Sequence, residues 1–462
     1  MSKKVLIKNA AAIVTCDAAD TVYRDTDLLI ESGRITRIGE GLADADAEQI
    51  SAEHKFIYPG LINTHHHFFQ TFVRNLVSID YPNMLVVEWL DKIYRIFQLV
   101  DSDVIYYSSL TAMADLIKHG CTTAFDHQYC YTKATGKSPV DRQFEAASLL
   151  GIRYHAGRGV NTLPRSLGST IPENMLETTE EYLKDCERLI SLYHDPRPLS
   201  MQQIVLAPCQ PINSYKETFM ETVSLARKHG VRMHTHLGEG ENSIMQERYS
   251  MRTLEWCNEI GFLGEDVWFA HGWELQPNEF PLLAQTGAGV SHCPGPAILG
   301  GFPILDIAAM QRAGIIVSLG CDGSATNDSS SLLDSLRTGF MMQSFHSKQR
   351  AGSVSAYDML KIATVNGAKT LGRSDIGSLE EGKAADLFMI DTQALELCGT
   401  LHDPKNLLAR VGVLGPVSLT MINGTIVFQD GKLRGIDEHA LAKAGEAVCD
   451  RVLRGPCEAF HK

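Results

Sequence analysis

Residues 56–66 read FIYPGLINTHH, an apolar run that ends on histidines, and the next four residues, HFFQ, add a third histidine at 67. Short apolar and β-branched runs alternating with amphipathic stretches signal parallel strands joined by helices. Seven more runs follow: TTAFDHQ (122–128), IRYHAG (152–157), QIVLAPC (203–209), VRMHTHL (231–237), VWFAHG (267–272), AGVSHC (288–293) and IIVSLGCD (315–322). Eight parallel strands are the number that closes a (β/α)8 barrel, and nearly every run ends on polar residues, where such barrels place their active sites. The intervening stretches agree. DVIYYSSLTAMADLIKHG carries Leu110, Met113 and Ile117 at helical spacing and stops at Gly120; ETFMETVSLARKHG carries Phe219, Val223 and Ala226 and stops at Gly230.

The two ends of the chain have a different pattern. VLIKNAAAIVTCD and LLIESGRITRIG near the start, and AADLFMID and LTMINGTIVFQDGKL near the end, are short strands with turn signals at Asn423-Gly424 and Asp430-Gly431. The fold expected is therefore α/β: a TIM barrel over residues 56–375, with a small β-sandwich assembled from residues 1–55 and 376–462. The tail after about residue 434 reads as helical.

Composition narrows the function classes. The 462 residues are 44% hydrophobic, enough for a large core, and 42 basic against 55 acidic residues give a net charge of -13. No basic stripe offers a footprint for phosphates, so a nucleic-acid partner is not expected. No apolar stretch is long enough to span a bilayer, and the start MSKKVLIKNAAAIVTCDA lacks a signal-peptide layout. Eleven cysteines without paired spacing suit reduced thiols and a cytoplasmic location. There is no CxxC, which excludes a zinc ribbon and the small zinc nucleobase deaminases.

Side chains alternate along a strand, so His65 and His67 point one way and His66 the other. An extended His-x-His offers two imidazoles to one metal ion, while His66 reads as a packed or hydrogen-bonded neighbour. Catalytic metal sites usually take at least three protein ligands. His236, ending the fifth run, and Asp322, ending the eighth, supply the rest of a ring around the barrel mouth.

The pieces PGLINTHHH, HTHLGE, WFAHG, SHCP, GCDGSATND and GSLEEGKAADL, in this order, resemble the amidohydrolase superfamily. Within it they resemble the aromatic aminohydrolase branch of guanine, 8-oxoguanine and pterin deaminases and triazine hydrolases. The resemblance implies the barrel with its β-sandwich and one divalent metal ion, zinc or iron, held by His65, His67, His236 and Asp322. A bound metal lowers the pKa of its water toward about 7, which hydrolysis at an amidine-like ring carbon requires. Asp322 then doubles as proton acceptor, Glu239 is the proton shuttle to a ring nitrogen, and His271 orients the nucleophile. Glu241 reads as a solvated loop carboxylate.

His292 in SHCP is either a secondary site residue or a buried, hydrogen-bonded histidine. Gln70 resembles a substrate-facing glutamine of the 8-oxoguanine deaminase group, with an exposed loop amide as the other reading. Arg158 either faces a substrate carbonyl or makes a local ion pair. Phe68, Phe69 and Trp89 are an apolar lid or core, and His127 and His155 match no role.

The expected activity is release of ammonia from a purine- or pterin-like heterocycle, 8-oxoguanine first, by a homodimer. Triazine hydrolysis, pterin deamination and deamination of a nucleoside such as methylthioadenosine or adenosylhomocysteine are the alternatives. A binuclear ring-opening amidohydrolase needs a lysine at the end of the fourth strand, and Lys216 lies too far along. A non-catalytic scaffold would be expected to lose ligands that this chain keeps. Where relatives commonly read HLAET and HCPxSN, this chain reads HLGEGEN and HCPGPAILGG, so the pocket walls differ.

Overall fold

A computed structural model describes residues 4–76, 86–347 and 353–459. Its first strands are Lys4–Val14 (β1), Val22–Glu31 (β2), Arg34–Gly39 (β3), Glu48–Ser51 (β4) and Lys55–Pro59 (β5). Leu61–Asn63 (β6), Cys121–Gln128 (β7), Arg153–Val160 (β8), Gln202–Pro208 (β9), Arg232–Leu237 (β10), Val267–His271 (β11), Gly289–His292 (β12) and Val317–Leu319 (β13) follow. Leu387–Asp391 (β14), Leu419–Ile422 (β15), Thr425–Gln429 (β16) and Lys432–Leu433 (β17) end the series.

Strands β6 to β13 pair in sequence order as one 8-stranded parallel sheet. The seam is drawn together by the Thr64 N–H on the Leu319 carbonyl (3.0 Å) and the Asp322 N–H on the His65 carbonyl (3.0 Å). This is the barrel the eight apolar runs imply. Gly120 and Gly230, in left-handed conformations at φ 79° and 65°, follow the helices Ser102–Lys118 and Lys216–His229 as expected.

The opening stretch, read as a single strand, is two. Phe56 and Tyr58 lie opposite Ile390 and Phe388 in the sheet built from the chain ends, whereas Leu61–Asn63 begins the barrel beside β7. The break falls at Gly60, where a Cβ would come within 2.1 Å of the Thr122 hydroxyl oxygen, so the backbone can pass there only without a side chain. The terminal strands form one mixed 9-stranded sheet in the order β17-β16-β15-β14-β5-β1-β2-β3, with β4 on β1. Alternation divides its residues. Ile57, Leu387 and Met389 pack with Ile7, Ile13, Leu28 and Ile30, while Phe56, Tyr58, Phe388 and Ile390 join the large core shared with the barrel helices. The buried Arg153–Asp386 ion pair also ties β8 to the sheet, and Asp386 accepts the Asn423 N–H at 2.7 Å.

The tail forms the helices Glu438–Val452 and Arg454–Ala459. Its Val448 and Leu453 complete an apolar cluster with Phe69, Trp89, Tyr94, Phe97 and Tyr129. Among the described residues, no helix is long and apolar enough to cross a membrane.

Candidate active site

Every candidate metal ligand read from the sequence sits at a C-terminal strand end. His65 and His67 leave β6, His236 lies in β10, His271 ends β11, and Asp322 follows β13. His65 Nε2 and His67 Nε2 each stand 3.3 Å from Asp322 Oδ1, and His67 Nε2 stands 3.2 Å from His236 Nε2. His66 faces away: its Nε2 pairs with Ser330 Oγ at 3.0 Å and its ring packs 4.8 Å from Phe68.

The hydrogen-bond network fixes the tautomers. His67 Nδ1 donates to the His127 carbonyl (2.9 Å) and His236 Nδ1 to the Cys209 carbonyl (2.7 Å), which leaves both Nε2 atoms as bare lone pairs. His65 reaches the same state through an intermediary. His234 Nδ1 lies 2.9 Å from the Trp268 carbonyl and must donate to it, so His234 Nε2 accepts from His65 Nδ1, also at 2.9 Å. His65 Nε2 is therefore a buried lone pair with no hydrogen-bond partner among the described residues. Burial lowers the imidazole pKa values of His65 and His236 to about 3, keeping the rings neutral. Three bare imidazole nitrogens and one carboxylate oxygen, joined by contacts of 3.2–3.3 Å, are the kind of donor set a catalytic zinc ion takes, so these residues fit such an ion; donor atoms of His65, His67 and His236 lie together within 4.8 Å, as do those of His65, His271 and Asp322.

The spacing His234-x-His236 repeats that of His65-x-His67 and marks a second pair on one face of a strand, yet His234 went unassigned in the sequence. Its role sets up a test. His234→Phe keeps the ring packing between Phe125 and Trp268 but removes the acceptor for His65. The variant is expected to fold and to lose metal to a chelator about 10- to 100-fold more readily, the usual cost of losing a ligand's supporting partner. Unchanged retention in chelator competition would count against the relay.

Glu239 lies in the loop after β10, with Oε1 3.5 Å from His271 Nε2 and Oε2 accepting from Gln210 Nε2 at 2.8 Å. Burial, with the Asp322 and Glu241 carboxylates adding to it, holds the Glu239 pKa well above the usual carboxylate range, against the opposing Gln210 hydrogen bond. Gln210 carried no signal in the sequence; it enters only because β9 lies beside β10. Neither ring nitrogen of His271 or His292 makes a hydrogen bond among the described residues, and both rings are buried. His271 and Asp322 hold left-handed backbone conformations, φ 71° and 68°, which non-glycine residues rarely adopt and which concentrate at functional sites.

Several readings are corrected. Glu241 is not solvated: it is buried, and its carboxylate accepts two backbone N–H groups. Gln70 is not an exposed loop amide. It is buried against Gly323, donating to the Tyr129 hydroxyl (3.2 Å) and accepting the Ala325 N–H (3.3 Å). Arg158 does not reach toward a substrate. Its guanidinium is taken up by Asp185 (2.7 Å) and Glu177 (2.8 Å) and stacks 3.5 Å over Tyr131, which makes it part of the core. Phe69 and Trp89 belong to the apolar cluster under the tail, and Phe68 packs in the main core beside His66 and Tyr154. The aromatic wall near the catalytic groups is instead Trp273, 4.3 Å from the His271 ring and stacked on Phe302 at 4.4 Å. His127 lends its carbonyl to His67, and His155 lies beside the Arg373 guanidinium at 3.4 Å.

The chain is similar to known proteins along most of its length. The model of the amidohydrolase family matches residues 56–427. A hydroxydechloroatrazine ethylaminohydrolase from Pseudomonas sp. (strain ADP) is 49% identical over 96% of this chain and 94% of its own length. An 8-oxoguanine deaminase from Pseudomonas aeruginosa is 32% identical over 97% and 99%. Among solved structures, an atrazine chlorohydrolase from Arthrobacter aurescens TC1 complexed with zinc superposes with a TM-score of 0.90 at 28% identity, covering 96% of this chain and all (100%) of that one.

Proposed function

The chain belongs to the amidohydrolase family, and on that ground we propose that it is a zinc-dependent hydrolase that displaces an amine from a ring carbon of an electron-poor nitrogen heterocycle. The observation that carries this is the convergence, at one barrel mouth, of three bare imidazole nitrogens, the Asp322 carboxylate and a half-buried Glu239.

When bound by His65, His67, His236 and Asp322, a zinc ion supplies the Lewis acidity that makes water a nucleophile near neutral pH. The chain's own groups do the rest. Asp322 takes a proton from the attacking water. Glu239, whose surroundings favour its protonated form, gives a proton to the ring nitrogen next to the carbon under attack. His271, its Nε2 3.5 Å from Glu239, hydrogen-bonds the attacking oxygen. Asp322 then returns its proton to the departing nitrogen, which leaves as the neutral amine, while the hydroxyl proton of the tetrahedral carbon passes to Glu239, restoring its protonated form as the ring carbonyl forms.

For the substrate, the 49% identical relative, named for removing ethylamine from a hydroxylated triazine, favours an N-alkylamino hydroxytriazine. The preference for 8-oxoguanine read from HHHFFQ gives way to it. The 8-oxopurine remains the second reading, supported by the 32% identity over 99% of the deaminase and by the burial of Gln70 against Gly323, the residue after Asp322.

A substrate panel tests the choice. Zinc-loaded protein is incubated with hydroxydechloroatrazine, atrazine, 8-oxoguanine, isoxanthopterin and methylthioadenosine, following ethylamine, ammonia and chloride. Ethylamine release from the hydroxytriazine is expected at a kcat/KM at least about 10-fold above the next compound, a difference of about 1.4 kcal/mol in transition-state binding. Faster ammonia release from 8-oxoguanine would move the protein to the second reading, and chloride release from atrazine without amine would contradict both.

A further inference from the structure

The loop HLGEGEN folds its second glutamate back onto the backbone of its first. Glu241, only 2% exposed, accepts the Gly238 N–H on Oε1 at 2.6 Å and the Glu239 N–H on Oε2 at 2.7 Å. Two successive peptide N–H groups turned to one side form a concavity for an anion, and here the anion is supplied three residues along the same chain. Gly238 and Gly240, at φ 65° and 101°, give the loop this shape on either side of Glu239. A Cβ at position 238 would also come within 3.2 Å of the Glu274 backbone nitrogen.

The residue next to Glu241 is anchored from outside the loop as well. Asn242 accepts both the Thr253 N–H (3.0 Å) and the Thr253 hydroxyl (3.1 Å) on its Oδ1 and donates to Glu274 Oε2 at 2.7 Å. Glu239 is thus held at both ends: its backbone on Glu241 and its carboxyl on Gln210.

We propose that Glu241 is a positioning residue, whose carboxylate, seated on the peptide N–H groups of residues 238 and 239, sets where the Glu239 carboxyl meets the substrate. The proposal rests on the reading of Glu239 as the proton-transferring group. A displacement of about 1 Å at a reacting group costs about 100-fold in rate, so loosening the clamp is felt in turnover before binding. In Glu241→Gln an amide N–H₂ replaces one accepting oxygen and confronts a backbone donor, breaking the clamp while keeping the side chain's size.

The experiment uses the full-length, zinc-loaded enzyme and the panel compound with the highest turnover. Glu241→Gln, Glu239→Gln and the double variant are compared in kcat, KM, metal content and Tm. Glu241→Gln is expected to lower kcat by about 30- to 100-fold, with KM within about 3-fold and one metal ion per chain retained. In the double variant the loss should be no greater than in Glu239→Gln alone, because a residue acting through another has nothing left to position. Wild-type kcat in Glu241→Gln, or losses that multiply in the double variant, would overturn the proposal. Wild-type kcat in Glu239→Gln would overturn the acid-base reading and the positioning role together, whereas a loss there beside an unaffected Glu241→Gln would sink the positioning role alone. If Glu241→Gln does not fold, Thr253→Val, which removes one of the two hydrogen bonds holding Asn242 beside the clamp, replaces it in the same cycle: a smaller kcat loss that disappears in the Glu239→Gln background supports the proposal, and one that persists there refutes it.

Discussion

Alanine at His65, His67, His236 or Asp322 is expected to remove the metal and, with it, at least about 1000-fold of the activity, since the Lewis-acid contribution is several kcal/mol. The four donor atoms lie 3.2–3.3 Å apart along the measured contacts, and each deletion leaves at most three. The informative contrast is His66→Ala. His66 sits between His65 and His67 in sequence, but it bonds Ser330 and packs on Phe68, on the other side of the segment. That variant is expected to bind about one ion per chain and to lose only about 1–3 kcal/mol of stability, from the lost His66 hydrogen bond and ring packing, since Ser330 keeps Ser324 as a partner at 3.1 Å. Metal analysis of the purified variants decides between the two outcomes. A metal-free His66→Ala with a metal-loaded His65→Ala would reverse the assignment of faces.

Glu239→Gln is the second large effect: full metal content with turnover lowered by about 100-fold or more, the range for loss of a general acid-base group. The amide keeps the size of the side chain and can still face Gln210 after a flip, so binding and fold should be preserved. Only proton transfer is removed. Single-turnover measurement on the best panel substrate separates the chemical step from product release. A turnover within about 3-fold of wild type would end the proton-shuttle assignment, because no other acidic side chain among the described residues stands within ion-pair distance of His271.

The sequence reading and the structure agree where the argument was local and periodic. Strand alternation separates His66 from its neighbours without any knowledge of the fold, and the eight apolar runs, nearly all ending on polar residues, leave little choice but a barrel. The reading fails where a side chain's role depends on what the fold places beside it. Arg158 lies near the end of a strand like the candidate site residues, but only the fold brings Asp185, in the helix Thr179–Tyr193, and Glu177, just before it, onto its guanidinium. Glu241, in a run of glycines and acids, has the composition of a solvated loop, and only the positive-φ turns reveal the carboxylate folded onto its own backbone.

By itself, the sequence determined the strand count, the barrel, and the four donors that face one another across its mouth, because side-chain alternation and the position at a strand's end are properties of each segment taken alone. The tertiary structure alone decided the chemistry of those donors. His65 is held as a metal-ready tautomer by His234, 169 residues away, and Glu239 is aimed by Gln210, 29 residues away on the neighbouring strand. The proton on a ring nitrogen and the direction of a buried carboxyl follow from whichever donor or acceptor comes within about 3 Å, and that proximity exists only once the barrel has closed.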